Sequence, residues 1–336
     1  MDDAHIGLAH GNGGRFMREL IAEVFLHHLG NPALDADADA VPLPLSLVEG
    51  EVMLTTDGFT VQPLEFPGGT IGSLAVHGTV NDLAVAGATP LYMSLNAIIE
   101  EGFEIARLDR IVASLAAAAR EAGVSVVAGD TKVVPRGEAG GLYLVAAGVG
   151  VRPRGLRLGV GEVRSDDVLL VSGPVGDHGT AVLLAREEFG LRGDLASDAA
   201  SVLPLTQALL GVPGLRFMRD PTRGGLATVV HEIVRASGFE AYLDEPAIPV
   251  RPPVRSVCET LGYDPLYLAC EGRVVAVVAP EHAPRALEAL RAQPSGRDSA
   301  IIGRLVGAGR RVVLRTELGG ERYVEELEDD PLPRIC

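Results

Sequence analysis

The chain has no tryptophan, and aromatic residues make up only 4% of its 336 positions. Hydrophobic residues still reach 47% and charged residues 22%, which is typical of a globular chain and excludes an intrinsically disordered one. Leucine, valine, isoleucine and alanine must therefore build the core. A chain of this length accommodates two domains, which we predict at 1–152 and 153–327, followed by a mobile tail at 328–336.

Cysteine is scarce. Three occur, at Cys258, Cys270 and Cys336, and none forms a CxxC pair. An odd number without such a pair excludes a disulfide framework and a zinc cluster. Cys258 and Cys270 stand in apolar sequence and are predicted to be buried thiols. Cys336 differs because it is the last residue.

Positive charge is also in deficit. Lysine and arginine total 29 against 45 acidic residues, which gives a formal net charge of −16. Such a surface disfavours nucleic acid and anionic membranes. The sequence shows no signal-peptide pattern and no apolar run long enough to cross a bilayer. We therefore expect a cytoplasmic protein with no nucleic-acid or membrane partner.

Lysine is almost missing. Lys132 is the only one, and the other 28 basic residues are arginine. A lysine ammonium can release its proton near neutral pH when its pKa is lowered, whereas a guanidinium cannot. Lys132 is therefore a candidate for a role that arginine does not fill.

Both halves of the chain alternate helical and strand patterns. Helices are predicted at 16–28, 71–87, 105–122, 180–187 and 282–292. A further helix is predicted to follow a turn at 220–225 and to end at Arg235. Strands are predicted at 52–56, 124–128, 142–151, 168–172, 274–279, 312–316 and 321–325. This mixture predicts two α/β or α+β domains, joined across the proline- and glycine-spaced segment 152–161.

Four aspartates occupy positions where a carboxylate needs a partner: Asp57, Asp82, Asp130 and Asp220. Asp57 and Asp130 follow apolar strands, and Asp82 falls inside the predicted apolar stripe of helix 71–87, where desolvation is costly. Carboxylates from strand ends and a helix face can converge on Mg²⁺, which shares such ligands with phosphates. Two alternatives stay open: Asp130 as a turn residue, and Asp220 as a helix N-cap before Pro221.

Two further groups suit phosphate binding. His77 and Asn81 are four residues apart on one helix face, where they would orient a phosphate or a reacting group; a packed, hydrogen-bonded pair fits equally well. Gly11, Gly13 and Gly14 precede a helix and could wrap phosphates with backbone amides. The segment lacks Gly-Lys-Ser/Thr, so it is not a Walker A loop.

The candidate catalytic groups are Lys132, Glu271 and Cys336. Lys132 lies two residues after Asp130, where it would neutralise a phosphate or carry a proton. Glu271 is a candidate base; alternatively it is a turn carboxylate paired with Arg273. The proline-containing tail ahead of Cys336 would reach about 25 Å in polyproline geometry, enough to carry a thiol between two sites.

The chain resembles the HypE carbamoyl dehydratases of nickel–iron hydrogenase maturation over nearly its whole length. The segments that carry the resemblance are 55–59, 68–82, 129–137, 219–226, 268–273 and the closing Pro333-Arg334-Ile335-Cys336. The wider superfamily includes aminoimidazole ribonucleotide synthetase and selenophosphate synthetase.

This resemblance implies a two-domain synthetase-like fold, with the N-terminal domains of a homodimer completing a shared β-barrel and a mixed α/β sandwich at the C-terminus. It implies ATP and Mg²⁺ near Asp57, Asp82, Asp130, Asp220 and Thr222. Lys132 and Glu271 match the catalytic residues, and either would be the base. Cys336 matches the cysteine that HypF carbamoylates, and the HypC–HypD complex would accept the cyanide.

Two other functions remain open at the level of sequence. One is a small-molecule kinase or synthetase of the same superfamily, such as a thiamine monophosphate kinase, for which Cys336 would be irrelevant. The other is a non-catalytic carrier that only presents the thiol, which the aspartates and the single lysine disfavour.

Overall fold

The computed structural model describes residues 4–11, 15–34, 36, 41, 43–45, 49–186, 190, 193–328, 332 and 335–336. They form two compact units. Unit 1 extends to Leu83, resumes over Ala88–Arg154 and includes Cys336, whereas unit 2 comprises Ala84–Gly87 and Gly155–Ile335. The division after Arg154 lies close to the boundary that the sequence predicts at residue 152.

Unit 1 is built on a four-stranded sheet. Its strands and those of a small ribbon are β1 (Glu51–Phe59), β2 (Glu65–Phe66), β3 (Gly69–Thr70), β4 (Thr89–Glu100), β5 (Ser125–Val134) and β6 (Leu142–Arg152). The order in the sheet is β1-β6-β4-β5, and β2 pairs with β3. Strands β4 and β5 are parallel, and the other neighbours in the sheet are antiparallel. Strands β1 and β5 are therefore its edges.

The helices of unit 1 differ in how they are buried. They are α1 (Arg15–Leu20), which continues as a π-helix (Ile21–Leu26) into α2 (His27–Leu29), then α3 (Ile71–Val85) and α4 (Ile105–Ala122). Helix α4 has the predicted bounds and ends at Gly123, whose φ of 69° is the left-handed conformation that glycine adopts readily. In α3 every residue is buried except Asp82, which is half-buried. Burial therefore extends around the whole of α3 and is not confined to the apolar stripe that the sequence predicts.

Unit 2 contains a seven-stranded sheet. Its strands are β7 (Val168–Val171), β8 (Leu215–Arg219), β9 (Phe239–Asp244), β10 (Val275–Val278), β11 (Ala300–Ala308), β12 (Val312–Arg315) and β13 (Glu321–Tyr323). They are arranged β13-β12-β9-β11-β7-β10-β8, with β12 and β9 parallel. The sequence did not predict β2, β3, β4, β8, β9 or β11.

Helices cover both faces of this second sheet. They are α5 (Asp177–Ala185), α6 (Leu203–Leu210), α7 (Gly225–Ser237), α8 (Pro252–Leu261) and α9 (Ala283–Arg291). Leu169 and Val171 of β7 pack in one core cluster with residues of α7, while Leu170 packs in another with residues of α6 and α9. Alternating side chains of one strand thus serve two cores, which confirms the predicted mixed α/β sandwich. Among the residues described above, no helix has the length and apolar character needed to span a membrane.

Candidate functional site

The single lysine lies on β5 beside a carboxylate. Lys132 Nζ is 2.8 Å from Asp130 Oδ2, and the two side chains are 63% and 48% exposed. Residues two apart on a strand share a face. An ion pair this exposed adds little stability, so both groups remain open to a ligand. Because β5 extends to Val134, Asp130 is a strand residue, and the turn alternative is wrong.

Asp57 lies on the opposite face of the same sheet. It pairs with Ala146, which pairs with Leu95, which in turn pairs with Gly129. Paired residues share a face, and neighbours along a strand alternate. Asp130 follows Gly129 and therefore lies on the other face. The structure does not bring the Asp57 and Asp130 side chains of one chain together.

Asp57 and Asp82 approach each other where β1 runs along α3. Thr55 donates its hydroxyl to Asp82 Oδ2 at 2.7 Å. Asp57 Oδ2 lies 3.9 Å from where a Cβ would stand on Gly78. Gly78 and Asp82 are one helical turn apart, a separation of roughly 5–6 Å. Within the described ranges, no three His, Cys, Asp or Glu side chains form a metal-ligand group, so this site offers a pair of carboxylates.

His77 and Asn81 are buried in α3, with exposed fractions of 6% and 1%. Burial lowers the pKa of His77 to about 4, so its imidazole is neutral near pH 7. Among the described residues, His77 Nδ1 has no hydrogen-bond partner. A neutral imidazole acts by hydrogen bonding and not by charge.

Gly11 packs against β5 next to Lys132. A Cβ on Gly11 would stand 2.7 Å from the backbone nitrogen and from the Cβ of Val133, so this close approach requires glycine. Gly13 and Gly14 lie outside the described residues. The structure thus brings the start of the glycine-rich segment to the strand that carries Asp130 and Lys132.

An apolar cavity of about 240 Å³ opens beside Asp130. Ile21, Phe25 and Leu26 line it from the π-helix, and Asp130 and Thr131 supply polar groups at β5. Apolar walls with a few polar groups are the usual surroundings of a bound organic ring.

Cys336 is the accessible thiol. It is half-buried, whereas Cys258 and Cys270 are buried as predicted. Burial raises the pKa of Cys258 to about 11 and holds that of Cys270 well above its usual value. The reactive species is the thiolate, so the two buried cysteines are poor nucleophiles. In unit 1, the backbone oxygen of Cys336 accepts hydrogen bonds from Thr60 N at 3.0 Å and Thr60 Oγ1 at 3.1 Å.

Asp220 and Glu271 meet at one end of the second sheet. Asp220 follows β8 and Glu271 precedes β10, and these neighbouring strands pair at Arg219 and Val275. The backbone nitrogen of Cys270 donates to the carbonyl oxygen of Pro221 at 2.9 Å, which ties the two loops together. Both carboxylates are buried, with exposed fractions of 6% and 2%.

Asp198 holds the loop that carries Glu271 in place. Asp198 Oδ1 accepts a hydrogen bond from the Glu271 backbone nitrogen at 3.1 Å. Arg273 is 3.3 Å from Asp198 and 3.4 Å from Asp177. These contacts fix the backbone at Glu271 and therefore the position of its Cα and Cβ atoms.

The turn after Asp220 does not use that residue as a cap. Helix α7 begins at Gly225 with Gly224 as its N-cap, so the N-cap alternative for Asp220 is wrong. Thr222 lies in this turn, and its carbonyl oxygen accepts a hydrogen bond from Gly225 N at 3.0 Å.

Comparison with known proteins places the chain in a family. Family models match it twice: the N-terminal domain of AIR synthase related proteins over residues 38–152, and their C-terminal domain over 164–315. Carbamoyl dehydratase HypE of Azotobacter vinelandii is 50% identical over 333 residues, which cover 98% of this chain and 97% of that protein. The chain belongs to the HypE carbamoyl dehydratase family.

Solved structures of the HypE family agree with this assignment. The crystal structure of HypE in complex with ATP has a TM-score of 0.93 and 43% identity, and covers 98% of this chain and 99% of that one. The structure of the HypE–HypF complex has a TM-score of 0.79 and 42% identity, with coverage of 94% and 100%. The two-domain fold of this chain is therefore that of HypE.

Sequence reasoning gave no role to two residues that contact candidate site residues, Thr55 beside Asp82 and Asp198 beside Glu271. A signal for Thr55 was present, because it stands two positions before Asp57 on an alternating strand and so shares its face. Asp198 lies between helices in a segment without periodicity, and its contact with Glu271 joins residues 73 positions apart. No local pattern indicates such a contact.

Proposed function

We propose that this chain is an ATP-dependent carbamoyl dehydratase that converts an S-carbamoyl group on its own Cys336 to a thiocyanate, the source of cyanide for a nickel–iron hydrogenase. The observation that carries the proposal is the half-buried thiol of Cys336 in a chain 50% identical, over 98% of its length, to a carbamoyl dehydratase. This relationship favours the dehydratase over a small-molecule kinase of the same superfamily.

The reaction removes one oxygen and two protons from the carbamoyl group, so Cys–S–CO–NH₂ becomes Cys–S–C≡N. ATP supplies the phosphoryl group with which the carbamoyl oxygen leaves as phosphate, and ADP is the second product. The residues of the chain must then hold the thiocarbamate in place, offset negative charge on the departing oxygen and take up the two protons.

Lys132 suits the charge-offsetting role. Its ammonium is 63% exposed and held by Asp130, so it is ordered without being enclosed. Glu271 suits the role of base, because Asp198 fixes its loop and only 2% of the residue is exposed to solvent. Glu271 would take the first proton from nitrogen as a carboxylate, whereas Lys132 would do so only after its ammonium has given up its own proton.

The chain also offers fitting groups for Mg²⁺ and for the nucleotide. Mg²⁺ is commonly held by one or two carboxylates together with substrate phosphates, which Asp57 and Asp82 would satisfy. The cavity beside Asp130 suits the adenine ring, and the segment that begins at Gly11 suits the phosphates. Both lie at β5, the sheet edge opposite β1, so the phosphates that Mg²⁺ shares with Asp57 and Asp82 would belong to a nucleotide held by the second chain of a dimer. Asp130 then serves by pairing with Lys132.

A homodimer is part of the proposal. Val52 and Leu54 on the edge strand β1 are 55% and 73% exposed. They alternate with Thr55 and Asp57, so they lie on the same sheet face as Lys132. Exposed apolar residues on an edge strand favour pairing with a second chain. A second copy would complete the barrel and enclose Lys132.

Two protein partners follow from the family. The HypE–HypF complex is a solved structure of a relative at 42% identity, which supports HypF as the carbamoyl donor for Cys336. The HypC–HypD complex is proposed as the cyanide acceptor.

The test is ADP formation by chains treated with HypF and carbamoyl phosphate, repurified and then given ATP. A chain without Cys336 should form no more ADP than an uncarbamoylated one. Cys258→Ala is the matched control, since it removes a buried thiol of raised pKa and should leave ADP formation unchanged. Equal ADP formation with and without Cys336 would return the chain to the small-molecule kinases.

A further inference from the structure

His178 stands at the start of α5 and uses both ring nitrogens. Its exposed fraction is 0%. Nε2 lies 2.8 Å from the carbonyl oxygen of Ile335, and Nδ1 lies 2.8 Å from the hydroxyl of Ser197. Ile335 immediately precedes Cys336, so a buried side chain from the middle of unit 2 binds the backbone next to the reactive thiol.

The direction of each hydrogen bond follows from chemistry. A carbonyl oxygen only accepts, so Nε2 must carry the proton that it donates to Ile335. Burial lowers the pKa of His178 and keeps the ring neutral, so Nδ1 is an acceptor. Ser197 then donates its hydroxyl to Nδ1, and its oxygen accepts from the backbone nitrogen of Ala199 at 3.0 Å. Three hydrogen bonds thus form a chain from the Ala199 N–H to the Ile335 carbonyl, and in each of them the donor lies on the Ala199 side.

The turn formed by Ser197, Asp198 and Ala199 also fixes the backbone at Glu271. Asp198, between Ser197 and Ala199, accepts from the Glu271 backbone nitrogen. One three-residue turn therefore fixes the proposed base through Asp198 and the segment before Cys336 through Ser197 and His178. Ile335 adds an apolar anchor, because its exposed fraction is 3%.

We propose that His178 is a positioning residue that docks the segment ahead of Cys336 by binding the Ile335 carbonyl, with Ser197 fixing the tautomer that does so. Consecutive Cα atoms are about 3.8 Å apart, so pinning this carbonyl confines the thiol to a small volume. The proposal rests on the proposed self-modification of Cys336. Positioning of this kind raises reactivity by restricting the reacting group.

The experiment measures the rate at which iodoacetamide alkylates Cys336 in the full chain, read from the mass of the C-terminal peptide. His178→Ala should speed alkylation about fivefold, the effect of losing one neutral hydrogen bond. His178→Gln, whose amide can donate from nearly the position of Nε2, should restore the slow rate. Single-turnover dehydration of the S-carbamoyl chain should slow in His178→Ala and recover in His178→Gln.

Thr180→Ala is the matched control. Thr180 is a buried residue of α5 whose hydroxyl donates to Gly176 O at 2.7 Å, so its loss perturbs the helix without touching Ile335. Unchanged alkylation in His178→Ala, or equal acceleration in Thr180→Ala, overturns the proposal. If His178→Ala does not fold, Ser197→Ala decides, since it should also speed alkylation. Alkylation needs neither ATP nor HypF, so its outcome is independent of whether thiocyanate ever forms.

Discussion

Lys132 can supply both a positive charge and proton transfer, whereas an arginine in its place would supply only the charge. Both side chains carry a positive charge that can pair with Asp130, but only an amine can serve as a proton carrier, because a guanidinium does not deprotonate in proteins. If Lys132 acts in proton transfer, Lys132→Arg should lower the single-turnover dehydration rate by roughly 10²–10⁴-fold while ATP still binds. A rate in Lys132→Arg equal to that of the parent, with loss only in Lys132→Ala, would show that the charge alone matters.

His77 makes the stability of unit 1 sensitive to acid. Its pKa falls from 6.5 to about 4 because of burial, so the unfolded chain takes up the proton first. Stability from this residue is complete above pH 6.5 and is lost as the pH falls towards 4, by roughly 3 kcal/mol.

The variant that tests this effect is His77→Asn. In urea unfolding at pH 7 and pH 4, the variant should lose less stability between the two pH values than the parent, by roughly 3 kcal/mol. Identical losses in the two proteins would mean that His77 is not the group responsible.

At the level of single residues, composition supplied the candidates, and the fold decided which of them lie together. The scarcity of lysine and cysteine pointed to Lys132 and Cys336 without any fold. The positions of four aspartates at strand ends and on a helix predicted that they converge on one metal, whereas the sheet puts Asp57 and Asp130 on opposite faces. Sidedness depends on strand register, which residues distant in sequence determine.

Among the elements, strand β1 exposes a surface that a second chain should cover. Leu54 is 73% exposed on β1, and Leu318 is 99% exposed in unit 2, so the two leucines form a matched pair. Leu54→Glu would place a charge in the proposed dimer surface and should yield monomers by sedimentation velocity, whereas Leu318→Glu should sediment like the parent. Dimers that survive Leu54→Glu would exclude β1 from the interface.

The elements that the sequence predicted are those with strong local periodicity. Helix α4 has one buried face and a glycine cap, and its bounds agree with the prediction. Strand β4 was missed, although Met93, Leu95, Ala97 and Ile99 are buried at every second position, as in a strand. Helix α3 was predicted, but its burial on all sides depends on packing partners that no local pattern reveals.

For the whole molecule, the fold class followed from mixed elements in both halves, and family membership followed from motifs spread along the chain. The positions of His178 and Asp198 did not follow, because each joins segments far apart in sequence. The central claim also concerns the whole chain: we propose that the enzyme and its substrate are one polypeptide.

The most direct test of that claim is mass spectrometry of the C-terminal peptide. The chain is incubated first with HypF and carbamoyl phosphate, and then with ATP and Mg²⁺. The peptide containing Cys336 should first gain the mass of a carbamoyl group and then lose the mass of one water molecule. A peptide that never gains the carbamoyl group, or that keeps it unchanged after ATP is added, would contradict the account.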